Sequence, residues 1–121
     1  MRDDVIWPQR LTVSKDRSRL EVLFENGRRC ELSAEFLRVE SPSAEVQGHG
    51  PSQKVTLGGK QAVTIRRVEP VGRYAVQIVF SDGHDTGYYS WAWLNRLCGE
   101  RDGLWRAYLD ALEAKGLSRS A

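Results

Sequence analysis

The chain has 121 residues, with 18 Lys and Arg against 16 Asp and Glu, 40% hydrophobic and 28% charged residues, and a formal net charge of +2. That length supports one hydrophobic core and one domain. The basic residues are interleaved with acids, and Arg28-Arg29 and Arg66-Arg67 are the only adjacent basic pairs, which argues against a nucleic-acid surface.

No run approaches the roughly 18 apolar residues of a membrane span. The start, Met1-Arg2-Asp3-Asp4, is polar and leads into no apolar signal region, so a cytoplasmic location is expected. Cys30 and Cys98 are too few and too far apart for a disulfide framework, and each is expected as a buried thiol.

In chain order, "RLTVS" alternates polar and apolar residues and predicts a strand. Leu20, Val22 and Phe24 alternate next, then Asn26-Gly27, then Cys30 and Leu32. Asn-Gly between alternating runs predicts a hairpin whose turn residues tolerate positive φ. Ser33 is placed to cap a short helix, "AEFLRV". Residues 41–61, rich in Ser, Gly and Pro, predict a long loop with a short strand at "KVTL".

Val63, Ile65 and Val68 begin a second set of strands, and Pro70-Val71-Gly72 predicts a turn. Tyr74, Val76, Ile78 and Phe80 alternate onto one face, and Asp82-Gly83 repeats the hairpin signal. Ser90 is placed to cap a helix carrying Trp91, Leu94 and Cys98, with Gly99 as its left-handed stop. A final amphipathic helix presents Leu104, Trp105, Tyr108, Leu109 and Leu112, with Asp102 as cap and Gly116 as stop. Residues 117–121 are expected as a disordered tail. The expected fold is therefore a β-rich α+β single domain over 1–121, of antiparallel hairpins, short helices and a C-terminal amphipathic helix.

"FENGRRCELSAEFLRV" and "FSDGHDTGYYSWAWLNRL" form a weak internal repeat. Each runs aromatic, Asn or Asp, Gly, strand, Ser cap, then aromatic-Leu before Arg. The second copy adds His84 and the run Asp85-Thr86-Gly87, and these stand out as candidate functional residues.

No catalytic constellation is complete. "DTG" resembles an aspartic protease tripeptide but lies in a strand run. Gly58-Gly59-Lys60 lacks the rest of a phosphate loop, and no distal histidine completes an iron facial triad. His84 and His49 are the only histidines, whereas catalytic zinc needs three protein ligands and structural zinc four. No catalytic residue and no cofactor is expected.

"WPQRLTVSKDRSRLEVLFENGRRCELSAEFLRVESPSAE" and "VEPVGRYAVQIVFSDGHDTGYYSWAWLNRL" resemble the small bacterial proteins grouped as DUF971, which are similar to the N-terminal domain of gamma-butyrobetaine hydroxylase. The resemblance spans about residues 5–97, and "FLR…SPSAE" and "DGHDTGYYSWAWL" are its most specific pieces. It implies a compact β-rich domain without the iron- and 2-oxoglutarate-dependent catalytic domain of the hydroxylases, hence no enzyme. It also implies a zinc position with ligands at Ser41, Ser43, Val46 and His84, where the hydroxylases carry three cysteines and a histidine. Only the histidine is kept, so no metal is expected, with His84, His49 and Glu45 as the weaker alternative set. Similar domains joined to Mrp-type P-loop ATPases imply an accessory, protein-binding role in iron–sulfur cluster or metal metabolism. Its binding residues are expected at Arg38, His84, Asp85 and Thr86. The alternative is a metal- or small-molecule-binding module using His84 and the 41–61 loop.

Overall fold

The computed structural model describes residues 6–120; the polar start Met1–Asp4 and the final Ala121 lie outside them. Alternation dictates the first sheet. In β2 (Arg19–Phe24), Leu20, Val22 and Phe24 are all buried, with the residues between them more exposed. This strand sits between β1 (Pro8–Val13) and β3 (Arg29–Ser33), both antiparallel to it. The register sets Leu20 opposite Leu32 and Val22 opposite Cys30.

The β2–β3 turn departs from the expected two-residue form. The Gly27 N–H donates to the Phe24 carbonyl at 2.9 Å, and the Phe24 N–H donates to the Arg28 carbonyl at 2.9 Å. Only Gly27 has positive φ, at 88°. This is a three-residue turn ending in a glycine bulge, so Asn26 keeps ordinary backbone angles and uses its side chain to accept the Arg28 N–H at 3.0 Å.

The second sheet repeats the first. β4 (Ile65–Val71), β5 (Ala75–Phe80) and β6 (Gly87–Ser90) are antiparallel in that order, with Val76, Ile78 and Phe80 buried. At its β5–β6 turn the Gly83 N–H donates to the Phe80 carbonyl at 3.0 Å and the Phe80 N–H to the His84 carbonyl at 3.0 Å. Asp82 accepts the His84 N–H at 3.1 Å, as Asn26 does for Arg28. Both sheets then end on a serine that caps a helix. Ser33 accepts from the Phe36 N–H at 3.0 Å to start α1 (Ala34–Val39), and Ser90 accepts from the Trp93 N–H at 3.1 Å to start α3 (Trp91–Gly99). The internal repeat in the sequence is a repeat of three strands and a capped helix. Their apolar faces, with Leu37 and Leu94 from the two helices, merge in one core.

Several expectations need correction. No strand forms over residues 54–57; the 41–61 segment instead holds a short helix, α2 (Ala44–Gln47), and a 3-10 turn at Pro51–Gln53. β4 continues through Pro70 and Val71, and the turn falls later, so Tyr74 precedes β5 and is 63% exposed. Gly99 does not stop α3 in the left-handed region: α3 is capped by Glu100 at φ −111°, and α4 (Arg101–Ala114) starts at once, without an Asp102 side-chain cap. Tyr108 and Leu112 face inward but Leu109 is exposed, while Gly116 does take the left-handed stop, at φ 67°.

Cys30 and Cys98 are not free thiols. They are bonded to each other, with Cα atoms 6.0 Å apart, and tie β3 to the last turn of α3. Both pack on the edge of the same apolar core, a tertiary proximity that their separation of 68 residues hides. Residues 118 and 119 bond back to the domain. The Gly59 N–H donates to the Ser118 carbonyl at 2.8 Å, and Arg119 grips Glu35.

Candidate functional site

The β5–β6 turn and the segment after α1 come together through polar groups. β6 lies so close to residue 41 that any Cβ on Gly87 would collide with the Ser41 hydroxyl, and would stand 3.0 Å from the Tyr89 ring. Glycine is required there for space, and its backbone approach brings residues 84–86 against residues 41–45.

His84 is at the centre and is buried. Its Nδ1 lies 3.1 Å from Glu45 Oε1, and its Nε2 lies 2.9 Å from Ser41 Oγ. A carboxylate accepts only, so Nδ1 carries the proton, Nε2 accepts, and the Ser41 hydroxyl donates. Ser41 Oγ in turn accepts the Ser43 N–H at 3.2 Å. Ser43 Oγ bonds Thr86 Oγ1 at 2.8 Å and also receives the Glu45 N–H at 3.2 Å, the cap of α2. The loop and the turn are thus joined at three side-chain pairs: Ser41–His84, Glu45–His84 and Ser43–Thr86.

Electrostatics keep His84 neutral. Burial lowers its pKa first, and the Arg38 charge lowers it further, while Glu45 and Asp82 pull the other way. For Asp82, burial raises the pKa, but hydrogen bonds from Lys60, Arg38 and the His84 N–H prevail and hold it at about 2. Arg38 Nε donates to Asp82 at 2.8 Å and Lys60 Nζ at 2.7 Å. Arg38 Nη1 is buried with no partner. Beneath this cluster the Tyr89 hydroxyl donates to the Leu37 carbonyl at 2.5 Å, and full burial pushes its pKa well above the usual phenol range.

Ser41, His84 and Glu45 have the connectivity of a serine–histidine–acid triad, but with the exposure inverted. Ser41 is 0% exposed, whereas Glu45, the acid, is 65% exposed. A nucleophile must meet its substrate, and this hydroxyl is fully buried with Gly87 packed against it. The arrangement is a closed hydrogen-bonded lock.

The four expected binding residues divide. Arg38 and His84 are interior. Asp85 and Thr86 are exposed. The alternative metal set does not assemble either: His84 meets Glu45, but His49 is exposed, with its backbone N–H on Gln53, and among the described residues no three His, Cys, Asp or Glu side chains gather to hold a metal. Asp82 and Lys60 were missed by sequence reasoning. Asp82 carried the signal of a turn residue, and nothing marked its carboxylate as the meeting point of two cations. The Glu35–Arg119 pair was missed because 84 residues separate its members.

A small α+β domain of two three-stranded sheets, with a glycine-tightened histidine turn closed over the segment after α1, is the class defined by this geometry. The chain belongs to the Gamma-butyrobetaine hydroxylase-like, N-terminal family, which matches residues 11–95. Among solved structures, one determined by NMR in solution is 44% identical, with a TM-score of 0.83, covering 98% of this chain and 89% of its own. A second NMR structure is 42% identical, with a TM-score of 0.81, covering 95% of this chain and 90% of its own. A crystal structure of a DUF971-family protein of unknown function from Acidithiobacillus ferrooxidans is 38% identical, with a TM-score of 0.62, covering 74% of this chain and 90% of its own. No curated protein matches the chain. Among the described residues no helix is long and apolar enough to cross a membrane.

Proposed function

We propose that this chain is a non-enzymatic accessory domain that docks on a protein partner in iron–sulfur cluster or metal metabolism, such as an Mrp-type P-loop ATPase. The observation that carries the reading is the division of the site. Its acid–base groups are spent internally on the lock, while Asp85, Thr86 and Tyr88 stand outward along and just before β6, an outer strand of its sheet, with Tyr88 55% exposed. Exposed tyrosines and an open strand edge are the groups that protein partners engage. The resemblance to domains joined to such ATPases supports the choice of partner.

The test is reciprocal capture of a co-expressed Mrp-type ATPase by wild-type protein and by the Asp85→Ala and Tyr88→Ser variants. The two substitutions should each weaken capture at least about threefold with the fold intact. Wild-type capture that neither one changes would refute the β6 face. The alternative, a metal-binding module, has one observation in its favour: His84 and Glu45 are in direct contact. Elemental analysis of untagged protein decides it, because one equivalent of zinc or iron per chain is required.

A further inference from the structure

Residues 117–120 pack back onto the domain. Past Gly116 they run back over α1 and the 58–61 segment. Arg119 lays its guanidinium on Glu35 in a two-pronged contact, Nε to Oε2 at 2.8 Å and Nη2 to Oε1 at 2.7 Å. The same guanidinium stands 5.2 Å from the centre of the Trp105 ring. Glu35 is only 6% exposed, in the first turn of α1. On either side of the arginine the backbones join: the Gly59 N–H donates to the Ser118 carbonyl at 2.8 Å, and the Gln61 N–H to the Arg119 carbonyl at 3.1 Å. At Gly58 a Cβ would stand 2.9 Å from the Ser118 carbonyl oxygen, so a side chain there would push the segment away.

This is the anatomy of peptide recognition. Main-chain hydrogen bonds hold residues 118 and 119, and one side chain is read by a carboxylate fork and an aromatic face. The pair is only half sealed, with Arg119 38% exposed over a Glu35 that is 6% exposed, and a pair open to solvent on one side adds little stability by itself. What it supplies is selection for a planar guanidinium. None of these contacts uses the covalent link through Gly116.

We propose that Glu35, Trp105 and the backbone of residues 58–61 form a receptor for an arginine-bearing segment of a protein partner, and that residues 117–120 occupy it as a tethered stand-in. The inference deepens the docking reading and rests on it, adding a second contact surface with a stated ligand chemistry. A short tether gives the stand-in a millimolar-range effective concentration, so a partner segment must bind well or arrive alongside other contacts to displace it.

The test uses the full chain with Arg119→Ala, titrated with ethylguanidinium and with the peptide acetyl-Leu-Ser-Arg-Ser-amide, read by tryptophan fluorescence and calorimetry. The variant should bind the peptide at least about tenfold more tightly than wild type, and ethylguanidinium should raise its melting temperature. Adding Glu35→Gln, or replacing the peptide's arginine by alanine, should abolish both effects. A folded Arg119→Ala protein that takes neither probe, or takes them equally well with Glu35→Gln, overturns the proposal. If Arg119→Ala fails to fold, Arg119→Lys serves. It keeps the charge but loses the fork, so it should bind the peptide more tightly than wild type does; equal affinity overturns the proposal. These titrations need no partner, so their failure is separable from unchanged ATPase capture, which would count against the docking reading itself.

Discussion

Replacing Ser41 by alanine removes one oxygen from the middle of the lock. Ser41 is 0% exposed, and its hydroxyl donates to His84 Nε2 while accepting the Ser43 N–H. Alanine leaves a buried imidazole nitrogen and a buried amide without partners, and the tight packing of Gly87 leaves little room for a replacement water. Each unsatisfied buried group costs about 1–3 kcal/mol, and some of this is recovered as the site relaxes, so a loss of about 2–4 kcal/mol is expected. At about 2.1 cal/mol/K of unfolding entropy per residue, a domain of this length loses about 4 °C per kcal/mol, which makes the melting temperature fall by about 8–16 °C. Urea unfolding followed by circular dichroism, alongside a thermal scan, measures both. A loss below about 0.5 kcal/mol would show that the Ser41–His84 contact holds nothing together, and the description of the site as a structural lock would fail.

Stability should also depend on pH through His84. Its folded pKa lies below 6.5, so the unfolded chain binds the proton more readily; the contribution of the neutral imidazole is complete above pH about 6.5 and drains away as pH falls below that value toward the folded pKa. Urea midpoints at pH 7.5 and pH 5.5 should show the fall, and a flat profile would mean that His84 titrates normally. Asp82, held at about 2, should add its own loss only below the ordinary carboxylate range, near pH 4. Reducing the Cys30–Cys98 bond, which closes a separation of 68 residues, should cost about 4 kcal/mol on the chain-entropy account. Urea midpoints with and without reductant test this, with alkylation and mass measurement counting the thiols; an unchanged midpoint would refute it. A Ser41→Cys, Ser43→Cys, Val46→Cys triple variant should gain about one zinc per chain by elemental analysis, with His84 as the fourth ligand. Protein that folds without taking up zinc would count against positions 41, 43 and 46 as a ligand frame.

Local signals in the sequence were read correctly where the cause of the structure is local. Leu20, Val22 and Phe24, and again Val76, Ile78 and Phe80, alternate because a strand turns its side chains to opposite faces, and the order of the chain alone places them. Ser33 and Ser90 cap helices because their oxygens reach amides three residues on. The repeated Gly in each hairpin turn is legible because few other residues take positive φ. The resemblance in "SPSAE" and "DGHDTG" also brought residues 41–45 and 84–86 into view, and the structure sets these two stretches against each other.

What the tertiary structure decided is which of those residues face water and which distant residues meet. Arg38 and His84, two of the expected binding residues, are interior, their polar groups largely met by Asp82, Ser41 and Glu45. Spacing suggested two unpaired cysteines, yet β3 meets α3, and across 84 residues Arg119 meets Glu35. A local pattern records what one segment can do for itself. The pairing of Ser41 with His84, Cys30 with Cys98, and Glu35 with Arg119 depends on how the sheets and helices pack together, a property of the tertiary structure that no short window of sequence contains.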